Sequence, residues 1–231
     1  MIKHLFLDLD DTVLDFHLAE RIALRGTFLE IGLEPTDSAM ASYSRINRGC
    51  WERLERGELT REQVLTLRFA LLFEELSVSA SPERTQQIYE YRLSLEHPFM
   101  EGGKELLDEL YGKYKLYIAS NGTAAVQDRR ISDTGIAGYF DGIFISQRIG
   151  YNKPAKEFFD GCFAQIPNFD PTEAMIVGDS LSSDILGGIN AGIKTCYFNQ
   201  RGIENASGIK PDYEIRTLSE LSPLLDRLNG G

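Results

Sequence analysis

Cysteine is scarce in this chain. Of 231 residues only Cys50, Cys162 and Cys196 are cysteines, an odd number, far apart and in no CxxC spacing. A disulfide framework and a zinc site of the finger type are therefore both disfavoured, and the three read as core thiols of a reducing compartment. Positive charge is also in short supply, with 24 Lys and Arg against 35 Asp and Glu, for a net charge of −11. So acidic a chain disfavours nucleic-acid backbones and anionic membranes as partners. It leaves room for a small phosphate ester, because one metal ion and one lysine can invert the local field. Long apolar runs are missing as well. The first one, residues 2–7, is cut short by Asp8, so it is read as neither a signal peptide nor a membrane span, and a cytoplasmic location is expected. No lysine occurs between Lys3 and Lys104, and the chain has no internal repeat or low-complexity segment.

What is present suits a globular protein. Hydrophobic residues make up 42% and charged residues 26%, ordinary values that argue against extended disorder. A chain of this length buries roughly 70% of its unfolded surface, enough for a core without staples. Short β-branched and aromatic runs recur at 2–7, 115–119, 142–145, 174–177 and 195–198, each suited to a buried strand. Helical patterns lie between them at 104–111, 123–134, 155–165 and 183–191. This alternation predicts an α/β fold, a doubly wound parallel sheet covered on both faces. The stretch 15–98 differs: it has no convincing strand and reads as several amphipathic helices. The expected organisation is an α/β core from 1–14 and 99–231, interrupted by a helical insertion.

Polar groups follow four of the apolar runs. Asp8 and Asp10 follow the first, Ser120-Asn121 the second, Lys153-Pro154 lies beyond the third, and Gly178-Asp179 follows the fourth. In an open parallel sheet the strand C-termini face one crevice, so these groups are expected to converge. Asp8 and Asp10, two apart in an extended segment, point the same way. Two such carboxylates repel unless a cation neutralises them, and a hard divalent ion such as Mg²⁺ with Asp179 as a further oxygen ligand fits. Lys153 would screen the nucleophile and the incoming phosphate, and Ser120 would offer an uncharged donor. Taken singly, each piece has a plainer explanation: Asp8 or Asp184 as a helix cap, Ser120-Asn121-Gly122 as a turn, Lys153 as a solvated surface lysine. Their joint occurrence, in order and at strand ends, makes the plain account untenable.

Asp8-Leu9-Asp10-Asp11-Thr12, Ser120-Asn121, Lys153-Pro154 and Gly178-Asp179-Ser180-Leu181-Ser182-Ser183-Asp184 resemble the four motifs of the haloacid dehalogenase superfamily. The helical insertion resembles that superfamily's first type of cap. One departure is Asp11, where the superfamily commonly has Gly. The resemblance implies that Asp8 is a nucleophile forming an aspartyl phosphate, and that Asp10 protonates the leaving group and then activates water. It implies that Thr12 orients Asp10, that Ser120 and Asn121 serve the phosphoryl group, and that Mg²⁺ is held by Asp8, the Asp10 carbonyl and Asp179. Lys153 would be held by Asp179 or Asp184, with Ser180 and Asp184 in supporting roles.

Within the superfamily, Asp10 points to phosphoryl transfer rather than dehalogenation, and the lysine-free insertion closes the Schiff-base route of phosphonate hydrolases. The opening segment and residues 180–199 are similar to the noncanonical pyrimidine 5′-nucleotidases. A nucleoside 5′-monophosphate is thus the expected substrate, with sugar phosphates or other small phosphorylated metabolites as alternatives and a phosphosugar mutase further off. The insertion should set specificity, with Phe16, His17, Arg48 and Trp51 as candidate pocket residues, and Tyr43 and Arg53 in reserve. Monomer and homodimer both remain open.

Overall fold

The computed structural model describes residues 1–230. Strand β1 (His4–Leu7) is followed by four helices: α1 (Phe16–Glu30), α2 (Asp37–Glu55), α3 (Arg61–Leu76) and α4 (Pro82–Ser94). Next come α5 (Gly103–Leu110), β2 (Lys115–Ser120), α6 (Ala124–Asp133), β3 (Gly142–Ile145), α7 (Ser146–Ile149) and α8 (Lys156–Phe163). The chain ends with β4 (Ala174–Gly178), α9 (Leu186–Ala191), β5 (Lys194–Phe198), β6 (Tyr213–Ile215) and α10 (Leu221–Gly230). The six strands form one sheet in the order β3-β2-β1-β4-β5-β6, and every pair is parallel. In register, Leu7 lies between Ile118 of β2 and Val177 of β4. The chain winds outward from β1 to β3 and then returns to the other flank of β1. That reversal opens a crevice at the strand C-termini, where ligands bind in such sheets.

Alternation along the strands explains the double cover. Leu5 and Leu7 enter one cluster with Leu107, Leu110, Ile131, Leu221 and Leu225, which come from α5, α6 and α10. Phe6, between them, enters another with Tyr117, Phe144, Phe158, Phe159 and Ile176. Successive strand residues face opposite sides, so a run apolar at every position needs helices on both. Strand β6 was not expected from the sequence; it has only three residues, too few for a periodic signal. The helix expected at 183–191 is instead a π turn, Leu181–Ile185, leading into α9. Such wide turns cluster at functional sites, and this one carries Asp184.

The contacts divide the chain into two compact units, residues 1–16 with 98 onward, and 17–97. The second unit is all helix, and local chemistry sets its breaks. Thr36 caps α2, Thr60 and Gln63 form a reciprocal capping box on α3, and Ser81 caps α4 ahead of Pro82. Its interior holds Phe28, Tyr43, Phe69 and Tyr89 around a buried Arg68. The Arg68 guanidinium donates to Asn47 Oδ1 at 2.9 Å and Gln86 Oε1 at 2.7 Å, and Asn47 donates on to Glu20 at 2.9 Å. Tyr43, held in reserve as a pocket residue, is instead fully buried in this core. Burial of an aromatic ring is strongly favourable, and a helix-borne Tyr surrounded by other rings is spent on packing.

The core positions yield a stability prediction. Leu107 is fully buried, so Leu107→Ala should destabilise by about 2–5 kcal/mol through lost transfer energy and a residual cavity. Ile189 is exposed, and Ile189→Ala should stay within about 0.5 kcal/mol. Urea unfolding midpoints of the two variants check this, and equal shifts would contradict the layer assignment.

Candidate active site

Asp8 is the first residue past β1, and its N–H donates to the Val177 carbonyl at 2.9 Å, so it prolongs the pairing with β4. This puts its side chain at the mouth of the crevice. Lys153 comes from the loop after α7 and is almost fully buried. Its ammonium donates to Asp8 Oδ1 at 2.6 Å, to Asp184 Oδ1 at 2.5 Å and to the Ala119 carbonyl at 2.5 Å. All three protons are thereby used. Burial by itself would depress the Lys153 pKa, but Asp184 and Asp8 outweigh it and hold the ammonium above the ordinary lysine range. The site therefore keeps a fixed positive charge.

The loop bearing Lys153 is braced by Asn121. Asn121 Oδ1 accepts the Lys153 N–H at 2.9 Å, while its Nδ2 donates to the Lys153 carbonyl at 2.9 Å and to Ser183 Oγ at 3.2 Å. Both ends of this side-chain amide are engaged by neighbouring protein groups, so the Asn121 side chain braces the lysine loop. Ser120, the last residue of β2, is different. Its Oγ accepts from the Gly122 N–H at 3.0 Å and from Gln127 Nε2 at 2.9 Å, and its own proton can still be donated.

Asp184 is fixed from two sides. One oxygen takes Lys153 and the other accepts the Ser180 N–H at 3.1 Å, while Ser180 Oγ caps the π turn by accepting from the Ser183 N–H at 3.2 Å. Gly178 makes room for this: a Cβ there would lie 2.2 Å from Asp184 Oδ2, so no other residue fits.

Asp8, Asp179 and Asp184 each bring a carboxylate oxygen within 4.8 Å of the others. Since Asp184 is spent on Lys153 and Ser180, Asp8 and Asp179 are the carboxylates open to a cation. An all-oxygen, anionic donor set of this kind suits a hard divalent ion. Burial raises the Asp8 pKa well above the ordinary carboxylate value, Lys153 pulls the other way, and Asp184 and Asp10 add to the rise. Burial likewise raises Asp179, reinforced by Asp8, Asp184 and Asp11. These crowded charges are what a bound cation would relieve.

The carboxylate of Asp10 is not part of that cluster. Its Oδ2 accepts from Gln127 Nε2 at 2.7 Å and its Oδ1 accepts from the Arg130 guanidinium. Just past Asp10 the extended backbone ends: Asp11 sits at φ 55°, and its N–H closes a turn onto the Leu14 carbonyl at 2.7 Å. A left-handed position explains why Gly is common there and why Asp, which tolerates that region, can replace it. Thr12, expected to orient Asp10, does not hydrogen-bond it; its hydroxyl is buried with no partner among the described residues. The partners of Asp10 lie instead on α6.

Of the candidate pocket residues, Phe16 belongs to the same unit as the cluster, and the Arg130 guanidinium lies over its ring at 5.8 Å from the centroid. His17 and Arg48 are exposed on the helical unit, and Trp51 lies half-buried there with the Arg61 guanidinium 5.6 Å from its ring centroid. Gln127 and Arg130 escaped the sequence reading. Their signal was present: Val126, Gln127, Arg130 and Ile131 form the buried stripe of α6, with a Gln and an Arg at two of its four inward positions.

The raised carboxylates set a pH dependence. Below the ordinary carboxylate pKa, Asp8 and Asp179 are protonated in both folded and unfolded chains and cost nothing. As pH rises from there toward their raised folded values, the unfolded chain releases its protons first, and the cation-free fold loses stability. A divalent ion should cancel that loss. Thermal unfolding with chelator or with Mg²⁺ should therefore show a Tm increment that grows between about pH 4 and pH 7. The increment should be largely lost in Asp179→Asn. An increment independent of pH would count against these carboxylates as the cation site.

A family model for haloacid dehalogenase-like hydrolases matches residues 2–192. The HAD-hydrolase YfnB of Bacillus subtilis is 39% identical over 97% of this chain and 95% of its own length. Its magnesium-bound crystal structure superposes with a TM-score of 0.93 at 38% identity, covering 97% of this chain and 99% of that one. Two pyrimidine 5′-nucleotidases are each 33% identical. PynA of Streptococcus pneumoniae matches over 97% of this chain and 95% of its own, and YjjG of Escherichia coli over 96% of each. With its carboxylates and lysine gathered at the strand ends of such a sheet, the chain belongs to the haloacid dehalogenase-like hydrolases and is a phosphoric monoester hydrolase.

Proposed function

We propose that this enzyme is a Mg²⁺-dependent nucleoside 5′-monophosphate phosphatase, acting through a phosphoryl group carried on Asp8. The observation that carries the mechanistic reading is the position of Lys153, whose ammonium touches Asp8 at the crevice mouth. A carboxylate must stay anionic to attack phosphorus, and it must do so beside an incoming dianion. The lysine charge serves both needs.

The chemistry follows in two displacements. Asp8 attacks phosphorus as the ester P–O bond breaks, its electron pair going to the leaving oxygen, which takes a proton from Asp10. Asp10, now ionised, removes a proton from water as that water attacks the phosphorus. The bond to Asp8 then breaks, returning the carboxylate and releasing inorganic phosphate. Splitting one hard displacement into two is the gain from covalent catalysis. Ser120 donates to a phosphoryl oxygen through its remaining proton. Asp8, Asp179 and the Asp10 carbonyl would hold Mg²⁺, which would supply charge neutralisation to the phosphoryl group. The magnesium in the YfnB structure supports this assignment.

The pyrimidine nucleotide preference is supported by PynA and YjjG. These core groups handle only the phosphoryl end of a substrate, so preference among esters is assigned to the helical unit, with Trp51, Arg48 and His17 its candidates beside Phe16. Stacking on one aromatic contributes about 1–3 kcal/mol, which gives preference rather than exclusion. Breadth across monoesters is expected.

Asp8→Asn should abolish turnover with the fold intact, and wild-type protein treated with beryllium fluoride and Mg²⁺ should carry the adduct on Asp8. Lys153→Ala should lower kcat by orders of magnitude, while Lys156→Ala, an exposed lysine paired with Asp160, should leave it unchanged. Equal losses would unseat Lys153. For substrate, kcat/KM for uridine and thymidine monophosphates should exceed that for glycerol and glucose phosphates. A sugar phosphate favoured by more than about tenfold, or ~1.4 kcal/mol, would refute the nucleotidase reading and leave the phosphatase reading standing.

A further inference from the structure

Helix α6 sends two polar side chains inward. Gln127 and Arg130 are three residues apart, hence on one helical face, and both are buried, Gln127 at 1% and Arg130 at 0% exposure. Gln127 Nε2 bridges Asp10 Oδ2 at 2.7 Å and Ser120 Oγ at 2.9 Å. Arg130 Nη1 donates to the other oxygen, Asp10 Oδ1, and also to Gln127 Oε1 at 2.9 Å. Each oxygen of one carboxylate is thus held by a different residue, and the two holders are bonded to each other. The loop is shaped to admit this: a Cβ on Gly122 would stand 2.3 Å from Gln127 Nε2. The Arg130 guanidinium lies over the Phe16 ring, 5.8 Å from its centroid.

Taking an arginine out of water is costly, and a buried ion pair is often no more stabilising than apolar packing. Stability alone therefore gives a weak reason for this arrangement. A carboxylate with both oxygens fixed, tied through Gln127 to the serine of the phosphoryl-binding loop, has a stronger one: its distance to the ester oxygen is set by the frame that sets the phosphoryl group. We propose that Gln127 and Arg130 are positioning residues for Asp10, and that they aim its proton at the leaving oxygen of the substrate. The inference rests on the reading above in which Asp10 carries that proton. Arg130 acts on proton transfer through Asp10, and Gln127 does so while also steadying Ser120.

That selectivity separates a positioning role from a structural one. An alkoxide leaving group needs a proton in the first displacement, whereas p-nitrophenolate leaves without one. Rapid-quench single turnovers with saturating Mg²⁺ should be run on wild type, Gln127→Ala, Arg130→Gln and Arg130→Lys. Uridine release from uridine monophosphate should slow by on the order of a hundredfold in Gln127→Ala and Arg130→Gln, the loss expected of a misplaced catalytic group. First-turnover release of p-nitrophenolate should change little in Arg130→Gln, and in Gln127→Ala, which also frees Ser120, should fall by far less than uridine release. Its steady state should then show a burst, with phosphate accumulating on Asp8, because water activation also needs Asp10. Arg130→Lys should recover part of the uridine rate, and KM should move less than kcat throughout. Equal losses on the two substrates, or no loss on either, would overturn the proposal. Should the Arg130 variants fail to fold, Gln127→Ala, which removes no charge, decides the matter by the same comparison. A wild-type enzyme that hydrolyses neither substrate, or carries no phosphate on Asp8, would sink the phosphatase mechanism itself. An active wild type with unselective variants would sink only this inference.

Discussion

A lysine ammonium taken out of water and set between two aspartates organises the core of this molecule. Lys153 bonds Asp8, Asp184 and the Ala119 carbonyl together, and these come from β1, the π turn after β4, and β2. Such a buried charge would be strongly destabilising if any partner were absent, since desolvation is then uncompensated. The surroundings are built to keep every partner in place. Asn121 clamps the backbone of the lysine loop, Ser180 and the π turn hold Asp184, and Gly178 leaves the space that Asp184 fills. The same charge keeps a positive partner beside the Asp8 carboxylate at the strand ends. Fold and chemistry draw on one interaction.

The two aspartates of the opening motif serve separate ends. Asp8 is drawn into an anionic cluster with Asp179 and Asp184, whereas the carboxylate of Asp10 is drawn out of it by Gln127 and Arg130. The split comes from α6, whose Gln127 and Arg130 take both oxygens of Asp10. In the proposed mechanism one group meets the cation and phosphorus, and the other moves a proton. Covalent phosphoryl transfer needs both functions close together but not in competition for the same ion.

The helical unit solves a different problem. Its Arg68 is also buried, yet its partners Asn47 and Gln86 are neutral, and its guanidinium lies among aromatic rings. Polar satisfaction there fixes how four helices meet, since a slipped helix would leave a buried donor unmade. Tyr43 belongs to this interior, which removes it from any pocket.

By itself the sequence determined the doubly wound sheet, the helical stretch, and the convergence of Asp8, Ser120, Lys153 and Asp179, because strand periodicity and the order of motifs are local patterns. Strand β6 left too short a pattern to read, and the π turn looked like an ordinary helix start, because hydrogen-bond spacing is not written in residue type. Only the tertiary structure decided which partner each polar group takes. Thr12 was expected to orient Asp10, since it sits in the same motif. In the fold the Thr12 hydroxyl has no partner among the described residues, Asn121 holds a loop, and Arg130, distant in sequence from Asp10, reaches its carboxylate from α6. Long-range pairing of this kind depends on where the sheet sets each helix, and a burial stripe containing Gln127 and Arg130 announces only that some partner must exist, because a buried charge cannot go without one.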